Sequence, residues 1–168
     1  MTPKKDETLK LCAGSAELDP DKPFVLAGYG DGQLHENDPI TRAQFAVLLY
    51  RSLTDDSKAA LASSTSVFTD IAKDSWYHDA VSAFASVGVL NGCNGFFCPN
   101  DNLTYGQLIA ILTRFVDAKT ASMPDVSYTK HWAYKNIMTA AAYGWIQDAA
   151  SVQPDRIVTR GEVVELVN

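Results

Sequence analysis

Three short stretches share one pattern: ITRAQFA at residues 40–46, LTYGQLI at residues 103–109 and VTRGEVV at residues 158–164. Each has an apolar residue, a Thr, a variable residue, a small residue and then Gln or Glu. The copies begin 63 and 55 residues apart. Self-similarity at intervals of this size is typical of chains built from repeated units. The sequence therefore predicts three copies of one structural unit.

Each copy begins with a helix start signal. Thr41, Thr104 and Thr159 precede apolar runs, and Gln44, Gln107 and Glu162 follow three residues later. This spacing forms a capping box, in which the Thr hydroxyl and the Gln or Glu side chain satisfy free backbone amides. Since apolar residues continue at helical spacing, we predict three short amphipathic helices. Capping is the first interpretation of Gln44, Gln107 and Glu162, and contact with a sugar hydroxyl is the alternative.

A second helix is predicted before the cap in two copies. The pattern that starts at Trp76 recurs at Trp132, 56 residues later, and Gly88 and Gly144 stand where these helices end. Both helices are expected to be longer than the capped ones. Because each Trp begins an apolar helical stripe, we expect both to anchor the core, with stacking on a sugar ring as the alternative.

The first copy departs from this scheme. Pro20 and Pro23 stand where its long helix would run, and it has no equivalent of Trp76. Residues 9–16 are predicted to be a helical remnant, and the Ser-rich and Ala-rich residues 55–66 are predicted to be a connector. The predicted repeats are residues 1–53 with a degenerate N-terminal half, residues 67–116 and residues 123–168.

Composition narrows the possible partners. The 168 residues carry a formal net charge of −6, so nucleic acid is an unfavourable partner. No apolar run reaches the roughly 20 residues that cross a bilayer, and the sequence shows no secretory signal. Cys93 and Cys98 could close a small disulfide loop, which would indicate an oxidising, extracellular setting. No cofactor and no metal site are predicted.

Taken together, the motifs GYGDG (residues 28–32), NDPITRAQFAVLL (37–49), FTDI (68–71), SWYHDAV (75–81) and GVLNG (88–92) resemble S-layer homology repeats. The resemblance covers residues 26–168. It implies an all-α fold in which three helix-loop-helix repeats pack with pseudo-three-fold symmetry around a central bundle of short helices. It also implies noncovalent anchoring to a bacterial cell wall, through an anionic, pyruvylated secondary wall polysaccharide held in grooves between repeats. Tyr105 departs from the family pattern, which has Arg there.

Arg42 and Arg160 are the predicted charge contacts for this glycan. Each follows a cap residue, where free amides and the helix dipole favour an anion, and a guanidinium can bind a carboxylate through two hydrogen bonds. Both are expected to lie outside the apolar stripe, so that their replacement would leave the fold intact. Asp31, in GYGDG, is a further candidate ligand contact, although turn formation is its simpler role.

Three alternatives remain open from the sequence. The chain could bind modified peptidoglycan, or it could associate with copies of itself within an S-layer. A glycoside hydrolase would need two carboxylates, for which the candidates lie in repeated turns: Glu36, Asp38, Asp101 and Asp155. We expect binding without catalysis, at the extracellular surface, because three similar half-sites suit multivalent binding better than one catalytic centre.

Overall fold

The fold is helical, as the sequence predicts. The computed structural model describes residues 12–62, 64–119 and 125–168. Its six α-helices in these ranges are α1 (Arg42–Arg51), α2 (Asp55–Leu61), α3 (His78–Ser86), α4 (Tyr105–Thr113), α5 (Tyr134–Ala142) and α6 (Arg160–Val167). A 3₁₀ helix spans Ala149–Ser151, and a two-stranded hairpin is formed by β1 (Cys12–Ala13) and β2 (Ala16–Glu17).

A closed ring of backbone hydrogen bonds joins the three copies. The amide of Ile40 donates to Val158 O (3.2 Å), that of Val158 to Leu103 O (3.0 Å), and that of Leu103 to Ile40 O (2.9 Å). All three side chains are fully buried. Each residue immediately precedes a cap, so the capped helices α1, α4 and α6 all start from this hub. The pseudo-three-fold arrangement is confirmed, and extended backbone at the helix starts forms its centre.

Hydrogen bonds from the helix starts reinforce the hub. The amides of Arg42, Tyr105 and Arg160 donate to carbonyls of Asp101, Arg156 and Asp38 respectively, each at 2.9 Å. The next amide in each helix donates to Pro99, Pro154 or Glu36 at 2.8–3.0 Å. Copy one thus donates backbone hydrogen bonds to copy two, copy two donates them to copy three, and copy three donates them to copy one. This cyclic exchange satisfies amides that the first turn of a helix leaves free.

All three predicted capping boxes are present. The hydroxyls of Thr41, Thr104 and Thr159 accept from the amides three residues ahead, and the Gln or Glu side chains there accept from the cap amides. The caps are therefore structural elements of the hub, since they fix where each helix starts.

Thr41→Ala is expected to lower the free energy of unfolding by about 1 kcal/mol, because the amide of Gln44 loses its side-chain acceptor. Urea denaturation followed by circular dichroism measures this change. Thr41→Ser, which keeps the hydroxyl, is the control and should stay close to the parent chain. Equal stability of Thr41→Ala and the parent would contradict the capping role.

The two lobe helices, α3 and α5, are shorter than predicted. Each has nine residues, so neither is longer than the capped helices α1 and α4, against which α3 and α5 pack. The reason is that Trp76 and Trp132 lie in turns before the helices begin. The predicted helix ends are confirmed, since Gly88 and Gly144 follow α3 and α5 with φ of 73° and 77°.

The first copy has no lobe helix in its described part, residues 12–41. An irregular segment replaces it, and Phe24 exchanges two backbone hydrogen bonds with the side-chain amide of Asn168 at the end of α6. The predicted helical remnant is wrong for residues 12–16, where the hairpin of β1 and β2 forms with a turn at Gly14 (φ 57°). Its other residues, 9–11, lie outside the described ranges.

The predicted connector over residues 55–66 contains a helix. Thr54 caps α2 by accepting from the amide of Ser57, and Leu61 packs into the core. The Ser and Ala content of this segment suggested flexibility, but the cap and the buried Leu61 are enough to hold one short helix in place. No helix in the described ranges has the length and apolar character to cross a membrane.

Candidate ligand-binding grooves

Two grooves of matching composition lie between the repeats. Groove one is a cavity of about 410 Å³ between the residue 26–29 loop and α1, and groove two is a cavity of about 550 Å³ between the residue 91–93 loop and α4. Four side chains of groove one have counterparts in groove two, in this order: Arg160 and Arg42, Gln44 and Gln107, Arg51 and Arg114, Trp76 and Trp132. The pseudo-symmetry of the fold therefore produces two similar sites.

Arg42 holds the loop of copy two in place. Its Nε donates to Phe97 O (2.9 Å), its Nη2 donates to Asn91 O (3.0 Å), and its guanidinium lies 4.6 Å from the centroid of the Phe97 ring. The side chain is half-buried and lines groove two. Burial lowers the pKa of Arg42, and the nearby Cys98, Asp101 and Asp70 partly offset this effect.

Arg160 holds the loop of copy one in the same way. Its Nε donates to Leu34 O (3.1 Å) and its Nη2 to Ala27 O (2.7 Å), while Nη1 donates to the Tyr29 hydroxyl (3.0 Å). Only 4% of Arg160 is exposed. These contacts argue against the expectation that Arg160 can be replaced with the fold intact, because the neighbouring repeat folds over its side chain.

The amides at the helix starts are engaged by the protein itself. The first two amides of α1 and α6 donate to carbonyls of the next repeat, and the third donates to the cap hydroxyl. The helix-start argument for an anion therefore does not apply at Arg42 and Arg160. Any attraction of these grooves for an anion comes from their guanidinium groups.

The prediction that Trp76 and Trp132 anchor the core is wrong. Their exposed fractions are 64% and 60%, although Val81 and Phe84 on α3 are fully buried. Both Trp residues lie in the turn before their helix, so the apolar stripe of the helix does not include them. Their indole rings instead line groove one and groove two, respectively, where an aromatic face can stack on a sugar.

Arg51 and Arg114 are groove residues that the sequence analysis missed. Arg114 donates to Val89 O and lies near Arg42, whose positive charge adds to burial in lowering the pKa of Arg114. Two guanidiniums that repel each other are stabilised by an anion placed between them. The repeat spacing could have identified them, because Arg51 and Arg114 are 63 residues apart, as are the cap residues Thr41 and Thr104.

The structure places Asp31 and Glu162 outside both grooves. Asp31 accepts from the Gln33 amide (3.0 Å) and contacts His35 Nε2 (2.5 Å), which fits its turn-forming role. Glu162 completes its capping box and pairs with Arg156 (2.8 Å). Gln44 also completes a capping box, but its amide nitrogen reaches groove one, where it donates to the Tyr29 hydroxyl (2.8 Å).

The third interface is built differently. Tyr105 stands at the position of Arg42 and Arg160, and the Arg156 guanidinium lies 4.8 Å from the centroid of its ring. The loop of copy three carries the 3₁₀ helix Ala149–Ser151 instead of a glycine run. The clamping Arg and the glycine-rich loop that it holds are thus both absent at this interface.

Cys93 and Cys98, which could have closed a disulfide loop, are free thiols in the structure. Cys93 and Phe96 exchange two backbone hydrogen bonds (2.8 and 3.0 Å), so the backbone closes this turn without a cross-link. Both thiols line groove two. Within the described ranges, no cluster of three or more His, Cys, Asp or Glu side chains could hold a metal ion.

His35 lies in the loop beside groove one and contacts Tyr29. Its Nδ1 lies 3.1 Å from Asp38 Oδ2, and the hydrogen bond with Asp31 raises the pKa of His35 above its ordinary value. Since the folded state favours protonated His35, this contribution to stability is complete below pH of about 6.5 and is lost as the pH rises through the raised pKa.

Asp31→Asn is expected to return the pKa of His35 toward its ordinary value, because the carboxylate partner is lost. An NMR titration of the His35 ring protons measures the shift. His131, which pairs with Asp155 instead, is the internal control and should not change. A His35 pKa that is the same in both chains would exclude Asp31 as the cause.

Comparison with known proteins decides the family. A model of the S-layer homology domain matches residues 67–109 and 127–164. Copies two and three are S-layer homology repeats. The matched ranges include the lobe helices, the first five residues of each capped helix in copies two and three, and both groove Trp residues. Copy one of the S-layer homology array lies outside them, in keeping with its missing lobe helix.

Three relatives illustrate where such repeats occur. The chain is 27% identical over 180 residues to a cellulosome-anchoring protein of Acetivibrio thermocellus, covering 99% of the chain and 39% of that protein. It is 25% identical over 146 residues to a surface-layer 125 kDa protein of Lysinibacillus sphaericus, covering 81% of the chain and 12% of the relative. An exoglucanase of Acetivibrio thermocellus is 25% identical over 154 residues, covering 85% and 14% respectively. The chain thus spans less than half the length of each relative.

Proposed function

We propose that the chain is a noncatalytic, extracellular anchoring module that binds an anionic bacterial wall polysaccharide in the grooves between its repeats. The observation that carries this proposal is the recurrence of one set of side chains, two Arg, one Gln and one exposed Trp, in both grooves.

Each component of the set suits an acidic sugar. An exposed indole offers an apolar face to a sugar ring, and a guanidinium favours a planar carboxylate such as a pyruvate ketal or a uronate. The chain as a whole has a formal net charge of −6, whereas each groove is lined by two Arg side chains. Asp101 also lines groove two and tempers its charge. An acidic ligand is therefore expected to bind in a groove and not elsewhere on the surface.

The relatives support a role at the cell surface. One is a cellulosome-anchoring protein and another is a surface-layer protein, while the exoglucanase has the region similar to this chain over only 14% of its length. Neither of the two grooves holds two of the candidate hydrolase carboxylates: only Asp101 lines groove two, Asp38 contacts His35 and Asp155 contacts His131. The proposal assigns no reaction to the chain.

Co-sedimentation with purified wall sacculi tests the proposal. We expect retention on intact sacculi and its loss after mild acid extraction, which removes the attached polysaccharide and its ketals. Retention on extracted sacculi would indicate that the ligand is peptidoglycan and not the polysaccharide. Failure to bind either material, together with concentration-dependent self-association in sedimentation velocity, would replace wall binding with assembly of the chain itself.

A further inference from the structure

The two grooves differ at one position of the loop. Tyr29 follows Gly28 in groove one, and Cys93 follows Gly92 in groove two, in the otherwise similar sequences VLAGY and VLNGC. Tyr29 is exposed on one side, and its ring lies 4.5 Å from the Arg160 guanidinium and 5.0 Å from the His35 ring. These contacts hold the Tyr29 side chain in a defined place at the wall of groove one.

The Tyr29 hydroxyl occupies the polar donors of groove one. It accepts from Arg160 Nη1 at 3.0 Å and from Gln44 Nε2 at 2.8 Å. A phenolic oxygen has two lone pairs, so these two bonds satisfy it as an acceptor. The Arg and the Gln that recur in both grooves are thus already bound to a protein oxygen in groove one.

The same donors are open in groove two. Arg42 uses Nε and Nη2 for the loop carbonyls, and within the described ranges its Nη1 donates to no protein acceptor. Gln107 uses its side-chain oxygen in the capping box, and its amide nitrogen likewise has no described acceptor. The Cys93 side chain is too short to reproduce the position of a Tyr hydroxyl. Groove two is also the larger cavity, at about 550 Å³ against 410 Å³.

We propose that Tyr29 acts as an internal stand-in for the ligand, so that groove two binds the acidic sugar and groove one is filled by the chain's own hydroxyl. The inference rests on the proposed function and names its specificity-determining residue. In groove two, a carboxylate oxygen takes the place that the Tyr29 oxygen holds in groove one, between an Arg Nη1 and a Gln amide nitrogen. The nearby Arg114 adds a second positive charge there.

The Trp side chains allow each groove to be observed separately. In ¹H–¹⁵N spectra, the indole N–H of Trp132 reports on groove two and that of Trp76 on groove one. The probe is methyl glucuronide, which carries one carboxylate on one sugar. In the parent chain we expect saturable shifts of the Trp132 signal and none of the Trp76 signal.

Tyr29→Phe removes the hydroxyl and keeps the ring against Arg160. In this variant we expect the Trp76 signal to shift as well, with at least about a tenfold gain in affinity of groove one, since a charged ligand now receives both hydrogen bonds. Tyr143→Phe is the matched control, because the Tyr143 hydroxyl bonds to Asp117 O and lines neither groove. It should behave as the parent chain does.

Three results would overturn the inference. The first is equal shifts of both Trp signals in the parent chain, and the second is no shift of the Trp76 signal in Tyr29→Phe. The third is a parent chain that sediments with sacculi but shows no shift of either Trp signal with the probe. The last result would be consistent with wall anchoring but would exclude a carboxylate as the group that groove two binds. A parent chain that fails to sediment with sacculi would instead overturn the proposed function itself.

Discussion

Arg160→Ala is expected to lower the free energy of unfolding by about 2–4 kcal/mol, the largest stability effect that we predict for a groove residue. The substitution removes three hydrogen bonds that join copy three to the loop of copy one. It also leaves the carbonyls of Ala27 and Leu34 without their donors. Urea denaturation, followed by circular dichroism and by Trp fluorescence, measures the loss.

Two variants isolate the cause of that loss. Arg51→Ala removes a guanidinium from an exposed position in the same groove and should change stability by no more than about 0.5 kcal/mol. Arg160→Lys keeps the charge but lacks the planar fork, so it should recover only part of the stability. If Arg160→Ala were as stable as Arg51→Ala, the role of Arg160 as a clamp between repeats would be excluded.

The helix starts were predictable because their physics is local. A cap depends on Thr41 and on Gln44 three residues away, and both belong to one short stretch of sequence. Recurrence of that stretch then gave the number of units. Gly88 and Gly144 were predictable as helix ends for the same reason, since a positive φ favours glycine whatever the surroundings.

The roles of the groove residues were less predictable because they depend on contacts between repeats. Arg160 looks like an exposed residue on its own helix, and it becomes buried only when a loop 126 to 133 residues away closes over it. The error at Trp76 has a different origin. Its spacing from Ala80 and Phe84 fits a helical stripe, but the helix starts two residues after Trp76, and boundaries are the least reliable part of such a prediction.

Some features of the grooves can be predicted from the repeat spacing alone, and others depend on how the repeats pack. Pairing Arg51 with Arg114 requires only the repeat offset, whereas knowing that Arg42 and Trp132 share one groove requires the three-fold arrangement. Trp132 belongs to copy three, and Arg42 to copy one. No sequence interval connects them, because each groove is assembled from all the copies that meet at its edge.

Trp132→Ala is expected to weaken retention on wall sacculi by about tenfold or more, because it removes the aromatic face of groove two. The indole is mostly exposed, so the free energy of unfolding should change by no more than about 0.5 kcal/mol. The co-sedimented fraction as a function of sacculus concentration gives the binding change, and urea denaturation gives the stability.

Trp76→Ala is the matched variant, since Trp76 has a similar exposure in the pseudo-equivalent groove one. If Tyr29 already fills that groove, Trp76→Ala should retain most of the binding, and the ratio between the two variants measures how unequal the grooves are. Equal losses would mean that both grooves hold the glycan despite the Tyr29 contacts. If Trp132→Ala bound normally, stacking in groove two would be excluded, and the Arg side chains would have to account for retention alone.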